Sequence, residues 1–259
     1  MAAGETLNHG ITNLKSFASL FENVLGGLQC LSCLGLSLFP TSLLQCKKYR
    51  DQLPPQRKAA LQDKLCASEL FRDKKSLYAK SLPQPFQGEY LGLKENPKYR
   101  KLQSTADGKL VMADNVRKVN RGDGKASPRL FLLTKSHVIL ADPKAAQPKT
   151  VITLSDIDYV SVSRYSDGFF VLHLKESSTA GSKGDFLLIS DHLIELVTRL
   201  HQTVLETTKQ KLKLQVTDEF LVKFKQGSIT VKVVETAEKQ GTAPICRKKG
   251  SRRMEVLVH

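Results

Sequence analysis

Short apolar runs separated by turn residues recur through the second half of the chain, at 109–112, 129–134, 137–142, 150–154, 159–163, 169–174 and 185–190. Runs of this length, bounded by Gly, Pro, Asp and Ser, predict β-strands, and their close spacing predicts an antiparallel sandwich or barrel. The period then changes. Leu193, Leu196, Val197, Leu200 and Val204 recur at three and four residues, which predicts an amphipathic helix. Ser190 is its expected N-cap, with Asp191 in the first turn and Lys209 and Lys211 at the end where the helix dipole favours positive charge. Four more runs, 213–216, 220–225, 229–234 and 254–258, predict a separate C-terminal sheet. Upstream, Pro54-Pro55 opens a helical segment over 56–71 whose apolar face is drawn by Ala60, Leu61, Leu65, Ser68 and Leu70. Arg57, Lys58, Lys64, Arg72, Lys74 and Lys75 fall on or near its other side, and a connector holding Pro83 and Pro85 follows.

Residues 1–45 differ in kind. No charged residue occurs from Val24 to Cys46, a length that matches the roughly 20 apolar residues of a membrane span. Gly26-Gly27, Pro40 and several serines interrupt the run, and Glu5 and Glu22 precede it where a signal peptide carries Lys or Arg. The segment reads as a divergent, weakly ordered leader, with membrane insertion or acylation as alternatives. Cys30 and Cys33 form a CxxC without a second ligand pair at zinc spacing, so no metal is expected.

Charge narrows the function. The 259 residues carry 40 Lys+Arg against 25 Asp+Glu, a formal charge of +15, and Lys15 is the only base before residue 46. The positive excess therefore belongs to 46–259 and favours a polyanionic partner: a membrane face, nucleic acid or an acidic protein. The five cysteines have no framework spacing and no Asn-x-Ser/Thr acceptor occurs, which points to a reducing, cytoplasmic setting.

The sharpest local feature is the stretch from Lys118 to Asp142, two strand-like runs behind a loop with two glycines and a proline. It predicts a β-hairpin that presents Lys118, Arg121, Lys125 and Arg129 to a phosphorylated group, with Lys118 and Arg129 at its mouth. A second cluster, Arg247, Lys248, Lys249, Arg252 and Arg253, is expected to face the membrane as an auxiliary. Catalysis is not expected. Gly122-Asp-Gly124-Lys125 has neither the spacing nor the hydroxyl of a phosphate-binding loop, the six histidines stand in no HExxH, and no GxSxG elbow or cofactor motif occurs. Nucleic-acid binding is the rival reading, but the aromatics it would stack on bases, Phe131, Phe169, Phe170 and Phe186, lie in apolar runs and read as core.

Seven strands and then one helix is the element order of a pleckstrin-homology domain. Longer stretches carry a more specific resemblance: Cys46-Lys-Lys-Tyr-Arg-Asp-Gln-Leu53, Lys64-Leu-Cys-Ala-Ser-Glu-Leu-Phe71, Lys118-Val-Asn-Arg-Gly122, Arg129-Leu-Phe-Leu-Leu-Thr-Lys-Ser-His-Val-Ile-Leu140, Gly181-Ser-Lys-Gly-Asp-Phe-Leu-Leu188, Asp191-His-Leu-Ile-Glu195 and the ending from Lys248. From 46 to 259 the chain resembles the tail homology one region of class I unconventional myosins, closest to the brush-border short-tailed type. The resemblance implies a mainly β, α+β fold: a pleckstrin-homology-like bent antiparallel barrel over about 108–210 capped by a C-terminal helix, with a basic helical segment at 46–80 and a β extension at 211–259. It also implies binding to anionic inner-leaflet lipids, phosphoinositides and phosphatidylserine, at the plasma membrane, cell cortex or microvilli, and a link to actin-based machinery. Stronger lipid signatures of this fold place a base two residues after the second cation, and this chain has Phe131 there, so charge-driven binding is expected rather than recognition of one headgroup stereoisomer. The motor is absent from the sequence, so the chain reads as a motorless tail, with part of an actin-dependent ATPase motor whose motor domain is missing from this chain as the alternative. Leu44-Gln45 has Arg50 one position late and no following Gly-x-x-x-Arg, a remnant of a lever-arm motif at best, which leaves a calmodulin-type light chain on 44–75 as an alternative partner rather than an expected one.

Overall fold

The computed structural model describes residues 52–100, 102, 109–178, 184–225, 227–236 and 243–259; the leader 1–45, its CxxC and the lever-arm remnant lie outside them. Helix α1, Pro55–Phe71, begins with a proline whose missing N–H is no loss in the first turn. It buries Leu61, Asp63, Lys64, Ala67, Ser68 and Phe71, so the expected face is met only at Leu61 and Ser68: Ala60 is exposed, and Leu65 and Leu70 are half-buried. Polar anchors set this rotation. Lys64 Nζ donates to the carbonyls of Ser81 at 2.7 Å and Gln84 at 2.6 Å and lies over the Phe86 ring, while Asp63 pairs with Arg199 at 3.0 Å. Burial lowers the Lys64 pKa to about 8. Lys75 is buried too, with its ammonium on Asp167 and the carbonyls of Ser163 and Tyr165. Neither lysine belongs to a solvated face, because each finds enough acceptors to leave water. Helix α2, Leu77–Ser81, follows.

Eight strands form the first sheet: β1 Leu110–Val119, β2 Ala126–Thr134, β3 His137–Asp142, β4 Gln147–Thr153, β5 Ile157–Val162, β6 Phe169–Leu174, β7 Phe186–Ser190 and β8 Lys213–Val216. Their order is β4-β3-β2-β1-β7-β6-β5-β8. Two antiparallel meanders, β1–β4 and β5–β7, are joined by the β1–β7 pairing, and helix α3, Leu193–Thr208, packs its apolar stripe against their inner faces. This is the pleckstrin-homology-like arrangement. Two details differ from the sequence expectation. β1 runs ten residues, so Lys118 stands within a strand rather than at a loop boundary. β8 pairs in parallel with β5, so 213–216 belongs to the barrel and not to the C-terminal sheet.

The second sheet contains β9 Glu219–Phe224, β10 Gly227–Glu235, β11 Ile245–Lys248 and β12 Arg253–Val258, in the order β11-β12-β10-β9. Three cores hold the molecule together. The first fills the barrel with Met112, Val116, Phe131, Phe170, Phe186, the α3 stripe and α1 residues Ala67 and Phe71. The second joins the outer wall of the barrel, Val119, Phe169, Val171, Leu187 and Ile189, to the inner face of the second sheet. The third lays Leu93 and Leu102 over the outer faces of β1–β3. Strands covered on both sides carry no polar alternation, which is why β6 and β7 read as continuous apolar runs.

Helix α3 starts later than expected. Its N-cap is His192 without a side-chain cap bond; the Ser190 hydroxyl instead donates to Asp114 at 2.6 Å and accepts the His192 N–H. Buried Glu195 on α3 accepts from the Gly88 N–H at 2.7 Å and the Tyr90 hydroxyl at 2.6 Å, and Tyr90 stacks on His192. The connector that joins α2 to the barrel is thereby pinned to the capping helix.

Candidate functional site

The β1–β2 register defines the site. Lys118 lies opposite Ser127, and Val116 opposite Arg129. Directly opposed residues share a face, and so do residues two apart on one strand. Lys118, Ser127 and Arg129 are therefore on the face that Val116 and Phe131 continue into the barrel core. Lys118 and Arg129 are half-buried, with the Lys118 ammonium 5.0 Å from the centroid of the Phe186 ring and an Arg129 N–H bonded to the Pro128 carbonyl at 2.6 Å. Phe131, two residues beyond Arg129, is fully buried. The result is a cationic rim over an aromatic floor at the hairpin end of β1 and β2.

The loop closes through its own polar groups. The Asn120 side chain accepts the Gly122 N–H at 2.9 Å, Asp123 accepts the Lys125 N–H at 3.0 Å, and the Asn120 N–H donates to the Lys125 carbonyl. Lys125 is exposed beside the rim. Arg121 goes elsewhere. Its guanidinium lies over the Phe224 ring of β9 at 5.3 Å, and burial lowers its pKa against the pull of Asp185, so it joins the seam between the sheets. Of the four cations expected in the loop, the structure brings Lys118 and Arg129 to one face and takes Arg121 away from it.

Gly124 connects the loop to the second sheet. It has φ +77°, and a Cβ there would stand 2.6 Å from the Cys246 carbonyl oxygen on β11. Strand β11 thus lies next to the hairpin with Arg247 and Lys248 on it, and Lys249 and Arg252 of the following turn and Arg253 of β12 continue the cluster; all five are exposed, and Lys249 is paired with Glu255 at 3.4 Å. Strand β11 has no apolar run, so hydrophobic pattern could not reveal it; the charge cluster that hides it is its only mark. Gly124→Ala is expected to destabilise the chain by about 1–3 kcal/mol, the sum of left-handed backbone strain and the blocked contact. Gly250→Ala, at φ +78° with nothing within 4 Å, isolates the backbone part and should cost about 1 kcal/mol or less in urea denaturation. Equal losses would show that the loop–β11 contact contributes nothing.

One buried constellation has the outline of a nucleophile–base–acid chain. His173 Nδ1 is 2.9 Å from Asp185 and its Nε2 is 3.0 Å from the Ser161 hydroxyl. All three residues are within 3% of full burial, and Asp185 also accepts the backbone N–H groups of Leu174 and Lys223. Its geometry is that of a clasp between β5, β6 and β9. Among the described residues no group of His, Cys, Asp and Glu is arranged to hold a metal, and no helix is long and apolar enough to cross a membrane.

Comparison with known proteins places the chain in a family. The family described as "Unconventional myosin tail, actin- and lipid-binding" matches residues 77–258. Unconventional myosin-Ia of Gallus gallus is 63% identical over 215 residues, and unconventional myosin-Ib of Mus musculus 50% over 216, each match covering 83% of this chain. The chain spans about a fifth of the length of these relatives, 21% and 20%. A crystal structure of the Slm1-PH domain in complex with inositol-4-phosphate aligns with 38% of this chain at 20% identity and a TM-score of 0.32, too low to add weight to the strand order itself. On the family match and on identity of this extent, the chain belongs to the class I unconventional myosin tails.

Proposed function

We propose that this chain is a membrane-attachment module, in which Lys118 and Arg129 hold a phosphate of an anionic lipid headgroup at the mouth of the barrel. Lys125 and the exposed cluster Arg247, Lys248, Lys249, Arg252 and Arg253 add attraction to the leaflet around it. The observation that carries this reading is the placement of two half-buried cations on one strand face at the hairpin end of a packed barrel. The actin- and lipid-binding description of the family supports it, and the proposal extends to a link between the inner membrane leaflet and actin-based machinery at the cell cortex. The four phenylalanines that a nucleic-acid reader would need on its surface are buried, which favours the lipid reading over its rival. No catalytic step is assigned to these residues. A light chain gripping α1 would compete with the packing of Ala67 and Phe71 against the barrel, so α1 is not proposed as its site.

The test is cosedimentation of the full chain with vesicles of graded anionic-lipid content. Each base near an anionic leaflet contributes about 1 kcal/mol, so five or six engaged side chains give dissociation constants of roughly tens to a few hundred micromolar. Binding should fall steeply as salt shortens the Debye length to about 8 Å and below. Equal binding to neutral and anionic vesicles would refute the proposal.

A further inference from the structure

The serine between the two rim cations has a role that the headgroup reading does not use. Ser127 is the direct cross-strand partner of Lys118 and stands two residues before Arg129, so its hydroxyl lies on the same face as both cations and between them. It is half-buried, its Oγ is 3.3 Å from the Lys118 carbonyl, and the flanking Lys125, Ala126 and Pro128 are exposed at the hairpin mouth. Pro128 follows it directly. Opposed residues on paired strands have Cβ atoms about 5 Å apart, within the span of a phosphoseryl group reaching a lysine. A phosphoserine carries close to two negative charges at neutral pH and three strong acceptor oxygens.

We propose that Ser127 is a phosphorylation site for a proline-directed protein kinase, and that its phosphate occupies the Lys118–Arg129 rim and so releases the chain from the membrane. The inference rests on the lipid-headgroup reading of that rim. In the reaction, the Ser127 Oγ attacks the γ-phosphorus of the kinase-bound nucleoside triphosphate. The bond from that phosphorus to the bridging oxygen breaks, a nucleoside diphosphate leaves, and the hydroxyl proton passes to the kinase's general base. The product is a phosphomonoester tethered where a lipid phosphate would sit. It satisfies both cations internally and repels any second phosphate, which makes the switch competitive rather than disruptive. The barrel core below Phe131 is untouched.

The experiment has three arms, each on the full chain with vesicles of phosphatidylcholine, phosphatidylserine and a minor fraction of bisphosphorylated phosphoinositide. First, incubation with a proline-directed kinase and nucleoside triphosphate, read by mass spectrometry, should place phosphate on Ser127. Second, chain carrying phosphoserine at 127 by genetic encoding should bind the vesicles about tenfold or more weakly, whereas Ser127→Ala should bind within about twofold of the parent. Third, phosphoserine encoded at Ser136, exposed in the β2–β3 turn roughly 30 Å away at the other end of β2, adds the same charge and should cost far less. No phosphate on Ser127, unchanged binding of the 127-phosphorylated chain, or equal losses at 127 and 136 would each overturn the proposal. Lys118→Ala in the same assay separates the two readings. If it binds normally, the headgroup site itself falls; if it binds weakly while phosphoserine at 127 does not, only the switch falls.

Discussion

Lys118→Ala and Arg129→Ala each weaken binding to phosphoinositide-bearing vesicles by about tenfold or more, because each removes a charge-assisted hydrogen bond worth about 1.5–3 kcal/mol as well as a share of the general field. Lys144→Ala, in the β3–β4 turn, removes only the diffuse attraction of about 1 kcal/mol, a loss of roughly fivefold. Lys149 is a poorer control, since it already pairs with Asp142 at 2.8 Å and its removal would expose that carboxylate. The double variant Lys118→Ala/Arg129→Ala should lose less than the two single losses combined, since both cations act on one phosphate. A vesicle titration decides it: losses of one size at Lys118, Arg129 and Lys144 would reduce the rim to part of a general basic surface.

The largest effect on stability is expected at Lys75. Its ammonium is 3.4 Å from Asp167 and 3.0 Å from the carbonyls of Ser163 and Tyr165, and burial holds it below the ordinary lysine value despite the carboxylate beside it. Lys75→Met fills similar volume but leaves Asp167 and two carbonyls without this donor in a buried site, at a cost of about 3–5 kcal/mol in chemical denaturation. Lys74→Met, on the exposed neighbour, should stay within about 0.5 kcal/mol. Similar midpoints for the two variants would show that the buried lysine is dispensable.

Two buried lysines, Lys64 and Lys75, mark the limit of what pattern can reveal. The strands of the barrel and the stripe of α3 were legible because burial on one or both faces writes a period into the residues, and Leu193, Leu196, Val197, Leu200 and Val204 are all buried as that period requires. Lys64 and Lys75 were misplaced because a buried lysine is decided by distant carbonyls that no local window contains. Strand β8 was assigned to the wrong sheet for a related reason: its partner β5 lies some fifty residues earlier, and parallel pairing leaves no hairpin turn to announce it. At the site, Lys118 and Arg129 stood out by charge and loop chemistry. Arg121 was indistinguishable from them in sequence, and only the contact with Phe224 separates it. Ser127 could have been found by counting strand parity back from Arg129, had the length of β1 been known.

The seam between the two sheets bears on how this molecule can change over time. All positions of Phe169–Leu174 and Phe186–Ser190 are buried, because the inner face of the pair serves the barrel and its outer face serves the second sheet. Such a pair has no solvent side on which substitutions could drift without consequence, so a change on one face must be accommodated by the barrel and a change on the other by β9–β12. The extension and the barrel are bound to a shared history there, while the cationic rim and the exposed β11–β12 cluster remain free to be retuned to whichever membrane the chain must meet.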